Sequence, residues 1–295
     1  MESEVVKFYA DDGVELNGYI VKSGVESKKV LIEIHGMTSN CFRKRESIIS
    51  EKVQEIGVDS ICFNTRGSEI VKYIKYGNGS KALAGTAYEN IEESYHDILG
   101  AIKYAVNLGY NKIYLQGHSL GSTKTVYVYN KMKEENNEYL KYVKGIILLS
   151  LVDIPSLFKF VSNSKFLEYA LKKEQENSLL EMMPAESFVH PISVKNYLKY
   201  VKYNSDIDFA KYNDSKYDYK ELNAIEVPLF MRWGNNREFI QQKAENLVSL
   251  LDKKIINKEK DISFINGSNH SYDGKEEVLA KGICNFLIKI WVRGD

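Results

Sequence analysis

Residues 113–122 read "IYLQGHSLGS", an apolar run that leads directly into the pattern Gly-x-Ser-x-Gly at residues 117–121. The pattern alone is weak evidence, because it has only three fixed positions of common residue types. Between a strand and a helix, however, it forms a sharp turn that exposes the serine Oγ and directs the next backbone N–H at a developing oxyanion. The flanking sequence predicts both elements. Ser119 is therefore the predicted nucleophile, and Leu120 the first predicted oxyanion donor.

The composition is typical of a globular protein. Of the 295 residues, 44% are hydrophobic, which is enough to bury a substantial core in one large α/β domain or two smaller ones. Forty basic residues balance forty acidic ones, so the overall charge favours neither a nucleic acid nor an anionic membrane as a partner. We expect any electrostatic recognition to depend on local groups.

The N-terminal sequence "MESEVVKFYADDGVEL" has acidic residues where a signal peptide would carry positive charge, and no long apolar run follows. The longest apolar stretches are too short to span a bilayer. We therefore expect a soluble cytoplasmic protein. Its three cysteines, Cys41, Cys62 and Cys284, are too widely spaced for a disulfide framework or a zinc site. Reduced thiols are expected, with no metal and no organic cofactor.

Strands and helices alternate along most of the chain. Two antiparallel strands around "DDG" come first, and six apolar runs follow with amphipathic helices between most of them. These runs are "KVLIEIH", "VDSICFN", "KIYLQGH", "KGIILLS", "VPLFMRW" and "DISFING". The alternation predicts an α/β protein with parallel βαβ units in a mostly parallel, doubly wound sheet.

Two segments interrupt this alternation. Residues 153–223 contain helical patterns but no strand with α/β spacing, and they are too long for a simple crossover. We predict that they form a helical cap inserted after the sixth strand, and that residues 1–152 and 224–295 form the core. Residues 68–86 contain "YGNGSKALAG", which lacks the Gly-Lys-Ser/Thr ending of a phosphate loop. A glycine-rich surface loop is predicted there.

The second oxyanion donor is expected from the loop after the third strand. That loop reads "HGMTSN", where Gly36 allows a tight turn and the Met37 N–H is the candidate donor. Two elements of one site therefore occur in the right order, at the ends of the right strands.

The general base can be assigned by elimination among five histidines. His35 belongs to the oxyanion loop, His96 lies within a helix, and His118 precedes the serine. The chain order of nucleophile, acid and histidine leaves His190, inside the predicted cap, and His270, which follows the last strand. We assign the base to His270.

The acid that would orient this histidine is less well defined. Its expected place is a Gly-x-x-Asp turn after "VPLFMRW", but residues 234–238 read "GNNRE". Glu238, one residue later, is the first candidate, because its extra methylene makes up part of the displacement. Asp153, just past "GIILLS", is the second candidate, and a site without a functional acid is the third.

Five residues are weaker candidates for contact with a substrate. His35 lies on the oxyanion loop, Arg66 follows the fourth strand at the same edge of the sheet, and Arg237 stands beside the expected acid. Tyr197 and Tyr200 recur at helical spacing in a Tyr/Lys-rich part of the predicted cap. Each residue also has a structural alternative: bracing a loop, remaining a solvated surface charge, or belonging to a helix face that packs on the body of the protein.

Several motifs together resemble the α/β-hydrolases, and more narrowly a family of bacterial and fungal hydrolases that includes a fungal siderophore esterase. They are "HGMTSN", "CFNTRGSE", "QGHSLGS", "VPLFMRWGNNREFI" and "NGSNHSYDGKEEVL". The resemblance covers most of the chain and implies the α/β-hydrolase fold. It also implies a serine hydrolase acting on esters, with Ser119 as nucleophile, His270 as base, and Met37 and Leu120 as oxyanion donors. A small-molecule or carrier-bound acyl substrate is expected.

The family pattern has Asp-Glu where this chain has Arg237-Glu238. This departure leaves two alternatives open. One is a thioesterase, acyltransferase or cyclase that releases a carrier-bound chain, because a weakened acid favours an acceptor other than water. The other is a non-catalytic protein of the same fold that binds a ligand or partner.

Overall fold

An eight-stranded sheet forms the centre of the protein, which a computed structural model describes over residues 3–161, 164–201 and 208–294. The strands of this sheet are β1 (Ser3–Tyr9), β2 (Glu15–Val21), β3 (Lys29–Ile34), β4 (Asp59–Asn64), β7 (Lys112–His118), β8 (Val143–Leu149), β9 (Leu229–Gly234) and β10 (Lys260–Ile265). A separate hairpin, β5 (Lys72–Lys75) and β6 (Lys81–Ala84), lies between β4 and β7 in the chain.

The order of the strands in the sheet is β1-β2-β4-β3-β7-β8-β9-β10. The pairs β1–β2 and β2–β4 are antiparallel, and every other neighbouring pair is parallel. The predicted mostly parallel sheet is therefore confirmed. Because β3, β7 and β8 are parallel neighbours at its centre, their carboxyl ends meet at one edge.

Helices cover both faces of the sheet, as the doubly wound prediction requires. They are α1 (Lys44–Glu55), α2 (Ser94–Asn107), α3 (Leu120–Glu134), α4 (Ile154–Val161), α5 (Ser164–Gln175), α6 (Val194–Val201), α7 (Lys220–Asn223), α8 (Ala244–Lys254) and α9 (Glu276–Gly294). Apolar residues of α1 and α9 form one core, and those of α2, α3 and α8 belong to the other. No helix within the described ranges is both long and apolar enough to cross a bilayer.

Residues 153–223, called the insert below, connect β8 to β9. Their described part contains α4 to α7 and contributes no strand to the sheet. The insert has apolar packing of its own: the Phe158 ring stacks on Phe188 with ring centroids 3.9 Å apart, and Tyr200 packs on Phe158 at 4.6 Å. It is tied to the core by hydrogen bonds, among them one from the Tyr212 hydroxyl to Leu151 O (2.6 Å).

The segment predicted to be a surface loop, residues 68–86, contains the β5–β6 hairpin instead. Tyr76 N donates to Ser80 O (2.9 Å), and Gly79 between them has φ +88°, a left-handed conformation that favours glycine. An antiparallel bridge between Val14 and Tyr76 attaches the hairpin to the first turn of the chain. The "GNG" sequence is therefore a hairpin turn, which the prediction missed because the strands on either side are only four residues long.

A cluster of polar side chains lies buried under the central strands. Glu33 of β3 is 2% exposed and accepts hydrogen bonds from the Ser50 hydroxyl (2.9 Å) and from Gln116 Nε2 (2.7 Å). The Cys62 thiol also donates to it (3.3 Å). Burial, and next the nearby Glu46 charge, raise the pKa of Glu33 from 4.5 to about 8. Folding therefore favours its protonated form at neutral pH.

We predict that Glu33→Gln stabilises the protein increasingly as pH rises from 5 to 8. The unfolded chain releases the Glu33 proton near its ordinary pKa, while the folded chain holds it up to about pH 8. Wild-type stability therefore falls across this window by about 1.4 kcal/mol for each unit of pKa difference. The neutral amide of the Glu33→Gln variant does not titrate, so its stability does not fall in this way. Thermal unfolding at both pH values measures the effect, and Glu138→Gln, at an exposed position, controls for net charge. A difference in Tm that is equal at the two pH values would contradict the prediction.

Candidate active site

Ser119 stands on a tight turn between β7 and α3. Its backbone has φ 54° and ψ −121°, outside the comfortable region for a residue with a side chain. The flanking glycines make the turn possible, because a Cβ at Gly117 would lie 2.3 Å from Gly121 O. A Cβ at Gly121 would lie 2.3 Å from Ile34 O, at the end of β3. The chain can therefore make this turn only with glycine at both positions.

The loop after β3 packs directly against this turn. A Cβ at Gly36 would lie 3.1 Å from the Ser119 Cβ, so the loop backbone approaches the serine as closely as a glycine allows. Met37 follows Gly36, and Leu120 is the first residue of α3, where backbone N–H groups have no intrahelical acceptor. Both residues line the same cavity as Ser119. This arrangement suits two amide donors that converge on an oxyanion.

His270, on the loop after β10, is paired with Glu238. Its Nδ1 donates to Glu238 Oε1 in a short contact, and the two side chains are 13% and 2% exposed. The other carboxylate oxygen accepts from Gly234 N (2.9 Å) and from the Ser150 hydroxyl (3.1 Å). All three partners hold the carboxylate in one orientation. An Nδ1–H on His270 leaves its Nε2 as the basic nitrogen.

The local backbone explains how a glutamate one residue late reaches the histidine. Arg237, in the position expected for the aspartate, has φ 52°, and this left-handed residue turns the chain so that Glu238 points back toward β9. Gly234 allows the same compact turn, since a Cβ there would lie 2.2 Å from Ser268 O. The longer side chain of Glu238 then spans the remaining distance to His270.

Asp153, the alternative acid, is engaged elsewhere. Its Oδ1 accepts from Ser156 N (3.0 Å) and its Oδ2 from the Ser156 hydroxyl (2.6 Å). These contacts cap the first turn of α4. Asp153 also borders the cavity, but the structure pairs Glu238, and not Asp153, with His270.

Two side chains that the sequence reasoning did not single out for this role also fix the position of His270. His118 Nε2 donates to the backbone carbonyl of His270 (2.8 Å). Burial, and next the nearby Arg45 charge, lower the pKa of His118 well below its ordinary value, so the ring is a neutral donor. The Phe239 ring packs edge-on against His270 with centroids 4.6 Å apart. His118 adjoins Ser119, so Ser119 and His270 are linked through one side chain.

Ser119, His270, Met37 and Leu120 line one cavity of about 950 Å³. Much of its wall comes from the insert, where the apolar side chains of Leu157, Phe188 and Val189 lie beside His190. Another part of the wall is polar and contains residues 43–45, Ser271, Asp273 and Glu276. Lys44 and Glu276 form an ion pair there (3.0 Å). The cavity is large enough for a drug-sized molecule.

Two weaker candidates from the sheet edge do not reach the cavity. His35 is 1% exposed, with its Nδ1 donating to Gly36 O (2.9 Å) and its Nε2 accepting from Thr65 N (3.1 Å). Burial lowers the pKa of His35 to about 3, so a neutral ring joins the ends of β3 and β4. Arg66 is 2% exposed and pairs with Asp97 (2.8 Å) and with Asp12 (2.9 Å). Both residues brace loops, in place of the predicted substrate contact.

The remaining three candidates are also not among the residues that line the cavity. Tyr197 and Tyr200 are buried at 0% and 1% exposure and pack around Phe158 inside the insert. Their helical spacing reflects the face of α6 that packs against the rest of the insert. Arg237 is exposed, and its contribution is the backbone turn before Glu238. The spacing of these residues in the sequence is the same whether they pack within the protein or contact a substrate, so it could not distinguish the two roles.

No protein family profile matches the sequence, and no curated relative matches it. Solved structures do. A structure of Est1E from Butyrivibrio proteoclasticus with ferulic acid bound has a TM-score of 0.66 at 17% identity, over 97% of this chain and 100% of the other. A Pyrococcus furiosus esterase has a TM-score of 0.60 at 15% identity, over 98% and 92%. The α/β hydrolase GrgF from Penicillium sp. sh18 has 0.65 at 14%, over 98% and 99%. At these identities the likeness shows a shared fold over the whole chain.

We predict that Gly121→Ala destabilises the protein by about 2 kcal/mol or more, because its Cβ would meet the backbone of β3. Gly282→Ala is the matched control. Gly282 also lies in a helix, but the nearest atom to a Cβ there is 3.6 Å away, so alanine is expected to stabilise by up to about 1 kcal/mol. Thermal or urea unfolding distinguishes the two. Similar stability of the two variants would contradict the close packing described for the turn.

Proposed function

The chain has the α/β-hydrolase fold, and we propose that it is a serine hydrolase that cleaves carboxylic esters through a seryl acyl-enzyme. The observation that carries the proposal is the pairing of Glu238 with His270 beside a serine held on a strained strand-to-helix turn. An ordinary loop serine needs neither the strained backbone nor a buried carboxylate–imidazole pair nearby.

In the proposed mechanism Ser119 Oγ attacks the acyl carbon while His270 Nε2 accepts its proton. Glu238 stabilises the imidazolium that forms, and the Met37 and Leu120 amides stabilise the oxyanion. His270 then gives the proton to the departing alkoxide, which leaves the acyl group on Ser119. A water molecule then attacks the acyl carbon and loses a proton to His270, which returns it to Ser119 Oγ as the acyl–Oγ bond breaks and the acid departs.

The comparisons support ester cleavage at a coarse level, because the similar structures include esterases. The ferulic acid in one of them is an aromatic acid, and an aromatic acyl group is compatible with the apolar wall of this cavity, which includes Phe188 and Phe239. A medium-sized acyl group, aromatic or aliphatic, is the substrate class that we propose.

The alternatives considered from sequence rested on a weak or missing acid. A buried carboxylate with three hydrogen bonds removes the reason to favour a non-catalytic protein. It also removes the specific reason to favour an acceptor other than water. Hydrolysis of an oxygen ester is therefore preferred to transfer or to thioester cleavage.

We predict that Glu238→Gln lowers kcat by about 10³- to 10⁴-fold. Glu238 Oε2 accepts from Gly234 N and Ser150, so a glutamine would place its oxygen there and its NH₂ group against His270. That NH₂ group donates to Nδ1, which moves the imidazole proton to Nε2, the nitrogen that must act as the base. Asp153→Asn is the matched control: its amide oxygen can still accept from Ser156 N at the cap of α4, and no comparable effect on kcat is expected. Hydrolysis of p-nitrophenyl butyrate measures both variants. A Glu238→Gln enzyme within a few-fold of wild type would rule out Glu238 as the acid.

A fluorophosphonate probe should label the wild-type protein and fail to label Ser119→Ala. Ser122→Ala is the matched control, because Ser122 is three residues away but fully buried, with its hydroxyl donating to the carbonyls of Gly117 (2.7 Å) and Leu149 (2.9 Å). It should keep its labelling. Intact-protein mass spectrometry reads out the adduct. Absence of an adduct on folded wild-type protein would refute the proposed nucleophile.

A further inference from the structure

His190 is a second histidine at the cavity that the proposed mechanism does not use. It belongs to the insert, follows Phe188 and Val189 in the cavity wall, and is half-buried. Its ring packs edge-on against Phe188 with centroids 4.8 Å apart. Its Nε2 contacts the Met37 sulfur. His190 therefore lies beside the residue proposed as an oxyanion donor.

The hydrogen bond of the other ring nitrogen decides which tautomer is present. Nδ1 lies 3.0 Å from Pro191 O, and a carbonyl oxygen can only accept, so Nδ1 must carry the proton. Burial, opposed by this carbonyl, lowers the pKa of His190 below its ordinary value, which favours a neutral ring. Nε2 is then a bare acceptor nitrogen.

The neighbour of that nitrogen cannot satisfy it. A thioether sulfur has no proton to donate, so Met37 covers the lone pair of Nε2 without forming a favourable hydrogen bond. Within residues 3–161, 164–201 and 208–294, no side chain or backbone group donates to it. An acceptor at the cavity wall that no protein group satisfies is available to a donor on a ligand. The flexible Met37 side chain can move aside for such a ligand.

We propose that His190 selects acyl groups that carry a hydrogen-bond donor, a hydroxyl or an amide N–H, within the first few atoms from the ester carbonyl. This inference rests on the proposed ester cleavage and names its substrate class. The donor binds His190 Nε2, and the rest of the acyl group lies along the apolar wall of the insert.

The position of His190 assigns the donor to the acyl group and not to the alcohol. The departing oxygen must receive a proton from His270, so the alcohol lies on that side, near residues 271–276. Arg45 Nη1 reaches Ser271 O (3.4 Å) there and adds to a polar wall. His190 instead contacts Met37, whose amide is proposed to bind the oxygen of the acyl carbonyl.

The test compares kcat/KM for p-nitrophenyl butyrate, for each enantiomer of its β-hydroxybutyrate analogue, and for p-nitrophenyl acetylglycinate. A further pair, butyl butyrate and its hydroxybutyl counterpart, carries the donor on the alcohol. We expect wild type to prefer a donor-bearing acyl ester by about tenfold. His190→Leu should abolish this ratio, and His190→Gln, which restores an acceptor oxygen, should recover part of it. Leu180→Ala, at a 65%-exposed position of the insert that does not line the cavity, should keep it.

The ratio of two esters within one variant cancels a general loss of activity, so a poorly active variant remains informative. A preference for the hydroxyacyl ester alone, or for the acylamino ester alone, identifies the donor and supports the proposal. Equal wild-type rates for all acyl esters would overturn it, as would a preference that survives His190→Leu or one that appears only on the alcohol. Failure of wild type to cleave any of these esters would instead overturn the proposed ester cleavage, and the role of His190 with it.

Discussion

The close approach of three backbone segments around Ser119 is the constraint on which the site depends. Gly121 lies against the end of β3, and Gly36 lies against Ser119 itself. A side chain at either position would push the oxyanion loop away from the nucleophile. The same packing that strains the serine backbone therefore fixes the position of Ser119 relative to the backbone amides of Met37 and Leu120, which suits the proposed roles of all three.

The end of β8 connects this turn to the acid. Leu149 O accepts a hydrogen bond from Ser119 N (2.8 Å), and the next residue, Ser150, donates to Glu238. Ser150 N donates to Arg232 O (2.7 Å), which also accepts from the Tyr272 hydroxyl (2.8 Å). Ser119, Glu238 and the loop that carries His270 thus share one hydrogen-bond network at the carboxyl ends of neighbouring strands. A displacement of any one of them would therefore shift the hydrogen-bond partners of the others.

Much of this could be predicted from sequence, for reasons that differ between residues. Ser119 and His270 follow from chain order at the ends of recognisable strands. Glu238 was only one of several candidates, because its reach depends on the left-handed turn at Arg237, and no spacing rule encodes that backbone angle. The role of Ser150 could not be predicted, because nothing in the sequence distinguishes a serine that orients a carboxylate from any other serine after a strand.

Two candidates that the structure places outside the cavity lining show the limit of such reasoning. Arg66 and His35 stand at the correct edge of the sheet, yet both are buried and fully engaged with neighbours. Position along a strand predicts which end of the sheet a residue occupies. Whether its side chain faces the cavity or the loops behind it depends on packing partners far away in the sequence.

Thr86 shows how the insert and the oxyanion loop are mechanically joined. Its hydroxyl accepts from Thr38 N (2.8 Å) on the loop, and its carbonyl accepts from Asn196 Nδ2 (3.1 Å) on α6 of the insert. One fully buried residue therefore holds the backbone beside Met37 and the helix that follows His190. A substrate that displaces the Met37 side chain from His190 therefore binds between the loop after β3 and the insert, and Thr86 holds these two elements together. Selection of the acyl group and stabilisation of its oxyanion are accordingly properties of one connected wall.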